Sequence, residues 1–184
     1  MKESLSVFLL IAAVLVAAGC GKKSNPVSPQ SGTSEFPPDT SFSLTLYSPS
    51  LSVAVGESFE VRVILYNAIR VSGMALEMSF PSGNVDILGV TAGSSFFPPD
   101  SVISISRVES DSGRISFGVS YKNTASGASK SGSGIICTVQ CKAKASGVAS
   151  FVIMPNSVVI NAFDGTLINN FASLLLKDLS VTIH

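Results

Sequence analysis

The sequence predicts an all-β fold, a two-sheet antiparallel sandwich, and three observations carry the prediction. Short runs of alternating apolar and polar residues recur along the chain, separated by Gly, Pro, Ser, Asn and Asp. No stretch sustains the 3.6-residue periodicity of an amphipathic helix. The longest alternating run, Gly134 to Ala145, sets Ile135, Cys137, Val139, Cys141, Ala143 and Ala145 on one face. Its other face carries Thr138, Gln140, Lys142 and Lys144, with Ile136 as the apolar exception. Such a strand has one dry and one wet side, as in an antiparallel sheet covered on one face. Cys137 and Cys141 lie about 13 Å apart on a straight strand, whereas a disulfide needs Cα atoms within roughly 7 Å. They are expected as unpaired, buried hydrophobes.

At the N-terminus, Met1-Lys2-Glu3 precedes an apolar run from Leu5 to Ala18, too short to span a bilayer and suited to a secretory signal. The ending Ala17-Ala18-Gly19-Cys20 resembles the lipobox of bacterial lipoproteins, with Ala17 where that motif favours leucine. The resemblance implies cleavage after residue 19 and lipidation of Cys20. Gly21 stands where an aspartate would retain some lipoproteins in the inner membrane, which points to the outer membrane or cell surface. The alternative is a plain signal peptide cut near Ala18, leaving Cys20 a free thiol. Residues 20–40 hold Pro26, Pro29, Pro37 and Pro38 among Ser, Gly, Thr, Asn and Gln. That composition buries too little apolar surface to offset ordering entropy, so the segment is expected to be a flexible tether.

Residues 41–184 are expected to form one domain with a real core. Alternation places strands at Ser43–Tyr47, Ser52–Val55, Phe59–Tyr66, Ser72–Phe80, Val85–Ala92, Val102–Val108, Arg114–Tyr121, Gly134–Ala145, Ala149–Ile160 and Leu174–Ile183. The fold is expected to have about nine strands. Pro155 is expected to split the run that contains it, since it has no amide hydrogen for the ladder. Strands of this number and spacing suit a sandwich.

Several chemistries are excluded by residue type. The single histidine is His184, at the last position, so no Ser-His-Asp set can form, and Gly-x-Ser-x-Gly is missing. No Cys/His spacing suits zinc, and no glycine-rich strand-to-helix loop suits a phosphate. Glu109 and Asp111 share a turn and are not set across a cleft as a glycosidase pair must be. Asn161 to Gly165 lacks the spaced acidic ligands of a calcium loop, and Asp164-Gly165 is read as a turn. Twelve basic and twelve acidic residues give a net charge of zero without a basic stripe, which argues against nucleic acid. The sequence therefore reads as a binding or structural module with no catalytic centre, metal or cofactor.

The order of motifs resembles the cohesin domain family, the receptor modules of cellulosomes. Val53-Ala54-Val55-Gly56-Glu57-Ser58-Phe59-Glu60-Val61 matches its opening Val-x-x-Gly-(Asp/Glu) stretch. Gly73 leading Met74 to Phe80, Val90-Thr91-Ala92-Gly93, Gly113-Arg114-Ile115-Ser116-Phe117 and Gly134 to Lys144 match later strands in order. Phe80-Pro81-Ser82 replaces the usual Tyr-Asp-Pro, and Cys141 replaces an expected phenylalanine. The resemblance implies a jelly-roll sandwich over nearly all of Ser43 to Ile183. It also implies a dockerin, or a comparable secreted protein, docking on one flat sheet face in the setting of polysaccharide breakdown. Carried over strand by strand, the outward residues of that face are Ala75, Glu77, Ser79, Ser104, Ser106, Ser116, Gly118 and Ser120, a small polar set with Glu77 its only charge. By residue type alone the same face also reads as ordinary solvated surface. The rival readings are a structural envelope domain and a carbohydrate-binding module. The latter needs exposed aromatics, for which Tyr47, Tyr66, Phe96 and Phe97 are the candidates.

Overall fold

The computed structural model describes residues 35–122, 128–162 and 173–184. The signal run, Cys20, the tether up to residue 34 and the Asp164-Gly165 turn lie outside the described residues. Within them the fold is all-β, as the alternation predicts. The strands are β1 (Ser43–Tyr47), β2 (Ser52–Val53), β3 (Ser58–Ser79), β4 (Val85–Ala92), β5 (Val102–Glu109), β6 (Arg114–Tyr121), β7 (Lys130–Ala143), β8 (Gly147–Ile153), β9 (Val159–Ala162), β10 (Leu175–Lys177) and β11 (Leu179–Ile183). Pro155 breaks the β8–β9 run through a 3-10 turn over Pro155–Ser157, and Asp178 interrupts the last run by accepting the Ile153 N–H at 2.9 Å.

Two expected strands, Phe59–Tyr66 and Ser72–Phe80, are one continuous β3 that serves both layers. Its first half lies between β1 and β7, and β7 carries β4 at its far side. Its second half lies between β6 and β9, and β6 carries β5 as an edge. Between the halves the β3–β7 register slips, and Asn67 and Arg70 both sit at φ 51°. Few residues other than Gly, Asn and Asp visit that region. Where the ladder breaks there, Ser133 and Ser131 of β7 substitute for it: their hydroxyls accept the N–H groups of Asn67 at 3.0 Å and Arg70 at 2.9 Å. The serines flanking Gly132 thus keep the backbone polar groups satisfied through the turn between layers.

One core fills the space between the layers. Phe59, Val61, Val63 and Leu65 of β3's first half meet Met74, Leu76 and Met78 of its second, with Ile115, Phe117 and Val119 of β6 and Phe151 of β8. Phe59 and Phe151 meet edge to face with centroids 6.2 Å apart, a favoured aromatic geometry. The expected dry face of β7 holds for Cys137, Val139, Cys141 and Ala143, which are buried in this core, and both cysteines are free thiols. It fails at its ends. Val63 pairs with Cys137 but Ile64 pairs with Ile135, so Ile136 is the extra residue of a β-bulge. A bulge turns two successive side chains to one side, which sends Ile136 into the core and Ile135 to the outer face. Ala145, past the end of β7, is exposed.

The residues just before β1 also depart from expectation. Phe36 to Thr40, assigned to the tether by composition, lie on the outer face of the β1–β3–β7 layer. Phe36 meets Tyr66 edge to face at 5.5 Å, and the Tyr66 hydroxyl donates to the Pro37 carbonyl at 2.6 Å. Phe36 and Tyr47 close over Ile64, Tyr66 and Ile135, a second small cluster separate from the main core.

Candidate functional site

The ladder pairings of the layer β9–β3–β6–β5 define the rows across its outer face. Paired residues in adjacent strands point the same way. Ala75 pairs with Gly118 of β6 and with Val159 of β9, and Gly118 pairs with Ile105 of β5. One turn of the ladder away, Glu77 pairs with Ser116, and Ser116 with Arg107. On the other side, Gly73 pairs with Ser120 and Asn161, and Ser120 with Ile103. The result is a shallow groove with Ala75 and Gly118 as its floor, Ile103 and Ile105 as one wall and Val159 as the other.

Six of the eight expected face residues are therefore brought together: Ala75, Glu77, Ser79, Ser116, Gly118 and Ser120. Ser104 and Ser106 are not among them. They pair with Val119 and Phe117, the core-facing residues of β6, so they point to the opposite side of β5. The physical reason is that β5 is an edge strand overhanging the core, which leaves both of its faces exposed. Sequence reasoning puts the apolar residues of a strand inside, and here Ile103 and Ile105 stand outside, 64% and 74% exposed. The face is accordingly neither small throughout nor wholly polar. Its charges also exceed the expected single Glu77: Arg107, Glu109 and Arg114 join it. The signal available in the sequence was Arg114 opening β6 at odds with Ile115, Phe117 and Val119, which fixes the outward set and, through pairing, that of β5.

Glu77 is held in place from several directions. Its carboxylate accepts from Ser116 Oγ at 3.2 Å and faces Arg114 at 3.6 Å. Its backbone N–H donates to Ser157 Oγ at 2.8 Å, and that hydroxyl donates to the Met154 carbonyl at 2.8 Å. Ser157 thus stitches the 3-10 turn to β3 and sets the position of Val159. Arg107 pairs with Glu109 at 3.0 Å at the groove's far margin. These solvent-exposed pairs add little stability and fix the pattern of charge on the face.

The aromatic candidates for sugar stacking do not assemble. Phe96 and Phe97 are fully buried and packed edge to face on one another, with Phe97 also edge to face on Tyr121. Tyr66 is 3% exposed beneath Phe36, and Tyr47 alone is half-buried. Among the described residues no group of three or more His, Cys, Asp or Glu comes close enough to hold a metal. Burial pushes the Cys141 thiol up to about 12 and raises Cys137 further, so neither is a thiolate nucleophile at neutral pH.

Fold and face together define an all-β sandwich with an exposed groove on one layer. A cohesin-domain profile matches residues 44–169, and the chain belongs to the cohesin domain family, whose members are non-enzymatic binding modules. Solved cohesins are among the structures it resembles. A type II cohesin from the cellulosome of Acetivibrio cellulolyticus superposes with a TM-score of 0.67 at 14% identity, covering 77% of this chain and 95% of that one. A type II cohesin–X-dockerin complex from the same organism, an N-terminal interface mutant, gives 0.66 at 16% identity, covering 77% and 98%. A non-cellulosomal cohesin from the archaeon Archaeoglobus fulgidus gives 0.60 at 18% identity, covering 77% and 91%. No curated protein matches the sequence.

Proposed function

We propose that this domain is a lipid-anchored docking module of the bacterial envelope, exposed at the periplasm or cell surface. Its partner is a dockerin-type secreted protein bound on the β9–β3–β6–β5 face, in the setting of polysaccharide breakdown. The groove carries the reading. Ala75 and Gly118 give a floor low enough for a helix to approach the sheet, and Ile105 and Val159 offer apolar side chains to bury against it. Both are among the apolar residues the fold leaves exposed, and an apolar patch rimmed by polar groups is the usual form of a protein-binding surface. Support also comes from the solved cohesins, one of which is a complex with an X-dockerin. Anchoring rests on the lipobox-like Ala17-Ala18-Gly19-Cys20.

The test is Gly118→Arg against Tyr47→Ala, measured by calorimetry with a dockerin-bearing protein from the same genome. A Cβ at Gly118 meets nothing nearer than Ile105 Cγ2 at 3.4 Å, so the arginine variant folds and its bulk stands in the groove. Gly118→Arg is expected to abolish binding and Tyr47→Ala to leave it intact. The opposite pattern, with retention on a polysaccharide gel, would favour sugar binding. For the anchor, intact mass should show acyl chains on Cys20, and Cys20→Ala should release the protein from the membrane fraction. An unmodified Cys20 removes the anchor from the proposal.

A further inference from the structure

Residues 36–43 sit outside the cohesin match, which begins at residue 44, yet they are tied to the domain by a dense set of hydrogen bonds. Asp39 is the hub. Its carboxylate accepts from the Ser43 hydroxyl at 2.7 Å and the Ser41 N–H at 2.9 Å, and it pairs with Lys177 of β10 at 2.7 Å. Asn67 reaches up from the turn between layers, its Nδ2 donating to the carbonyls of Asp39 at 3.0 Å and Ser41 at 2.8 Å. Tyr66 holds Pro37 through its hydroxyl and Phe36 through its ring. Beneath lie Ile64 and Ile135, apolar residues on what the strand alternation makes a solvent face, together with Ser43, a polar residue that is 0% exposed. A serine completely buried on an outward position means the cover is part of the folded domain. Asn67 itself has left-handed backbone, at φ 51°.

We infer that the Ile64–Tyr66–Ile135 patch is a built-in docking site for the chain's own Phe36–Ser41 segment. Seated there, this strap fixes the point at which the N-terminal segment leaves the domain. That point is on the outer face of the β1–β3–β7 layer, on the side of the sandwich away from the Ala75–Gly118 groove. The chain therefore enters the domain at Phe36 on the face opposite the groove, and the seated strap leaves the groove open to a partner. The orienting role rests on the groove being the binding face; the seat of the strap does not.

A spin label tests the exit point. The full chain with Cys20→Ser and Ser34→Cys is labelled at residue 34, since Cys137 and Cys141 are buried. The amide signals of Tyr47, Ile64 and Ile135 should be lost, and those of Ala75, Ile105 and Gly118 should survive. Adding Tyr66→Phe and Asn67→Ala frees the strap and should restore the lost signals, with unchanged chemical shifts at the groove showing that the fold persists. Equal broadening on both faces of the parent chain, or no broadening at Ile64 and Ile135, overturns the inference. So does a contrast that the two substitutions leave unaltered. Dockerin titrated into the same samples reports on the groove separately, so loss of one reading leaves the other standing.

Discussion

At Gly113 the backbone takes φ 61°, and a Cβ there would run into the Phe80 carbonyl, while the Gly113 carbonyl accepts the Phe80 N–H at 2.8 Å. Gly113→Ala should therefore cost about 2 kcal/mol or more, from strain and collision together, read as a lower denaturation midpoint at unchanged slope. Cys137 and Cys141 should label slowly with a thiol reagent in native protein and fast in denaturant, since reaction needs both access and a thiolate that burial disfavours. Adjacent residues on β5 give the sharpest test of the face. Ile105→Asp should weaken partner binding by about 2 kcal/mol or more, roughly thirtyfold, as a buried anchor does. Ser104→Asp, on the opposite side of the strand, should leave binding unchanged. Sequence patterning got the facing of β6 right and that of β5 wrong. Its rule assumes a strand with one dry side, and β5 at the sheet edge has none.

Among the elements, β7 shows where alternation stops being informative. Cys137 to Ala143 follow the period of two, but one extra residue at Ile136 reverses the facing of everything before it. Nothing in the residue types marks the bulge. The strap left a clearer trace. Ile64 and Tyr66, outward on β3, and Ile135 make an apolar excess on a wet face, which calls for a cover that composition alone assigned to a tether. Asp39 gives the strap a pH response of definite sign. The hydrogen bond from Lys177, then those from the Ser41 N–H and the Ser43 hydroxyl, hold its carboxyl well below the usual range. Stability from these contacts is fully present above the ordinary aspartate pKa of about 4. It is lost only as the pH falls through the lower value of the folded state. Amide exchange at Ser41 and Ser43 should thus stay slow, after correction for intrinsic rates, in mildly acidic buffer and rise in strong acid. Asp39→Asn should show the faster exchange at every pH.

For the whole molecule, the all-β class, most strand positions and the cohesin likeness were legible because each rests on local alternation and on the positions of turn glycines. The union of two expected strands into β3 was not. It depends on Asn67 and Arg70 holding left-handed backbone and on Ser131 and Ser133 replacing lost ladder bonds, contacts made across more than sixty residues of sequence. Phe151, fully buried against Phe59, stands at the junction of the layers, and Phe151→Ala should cost about 3–5 kcal/mol. Loss of signal from either layer should then follow a single denaturation curve, because β3 belongs to both.

That shared strand also sets a timetable for a chain that emerges N-terminus first. The first half of β3 is flanked by β1 and β7, and β7 begins at Lys130; the second half waits for β6 and then for β9 at Val159. Phe151 is capped only when β11 pairs with β8, through Leu179. Contacts this distant in sequence are slow to form, and a ribosome still holding the last strands holds a chain with no closed core. A stalled chain ending at Ala143 should accordingly be digested by protease at the rate of an unfolded one. Survival of a resistant fragment spanning β1 to β7 would show that the first layer closes by itself.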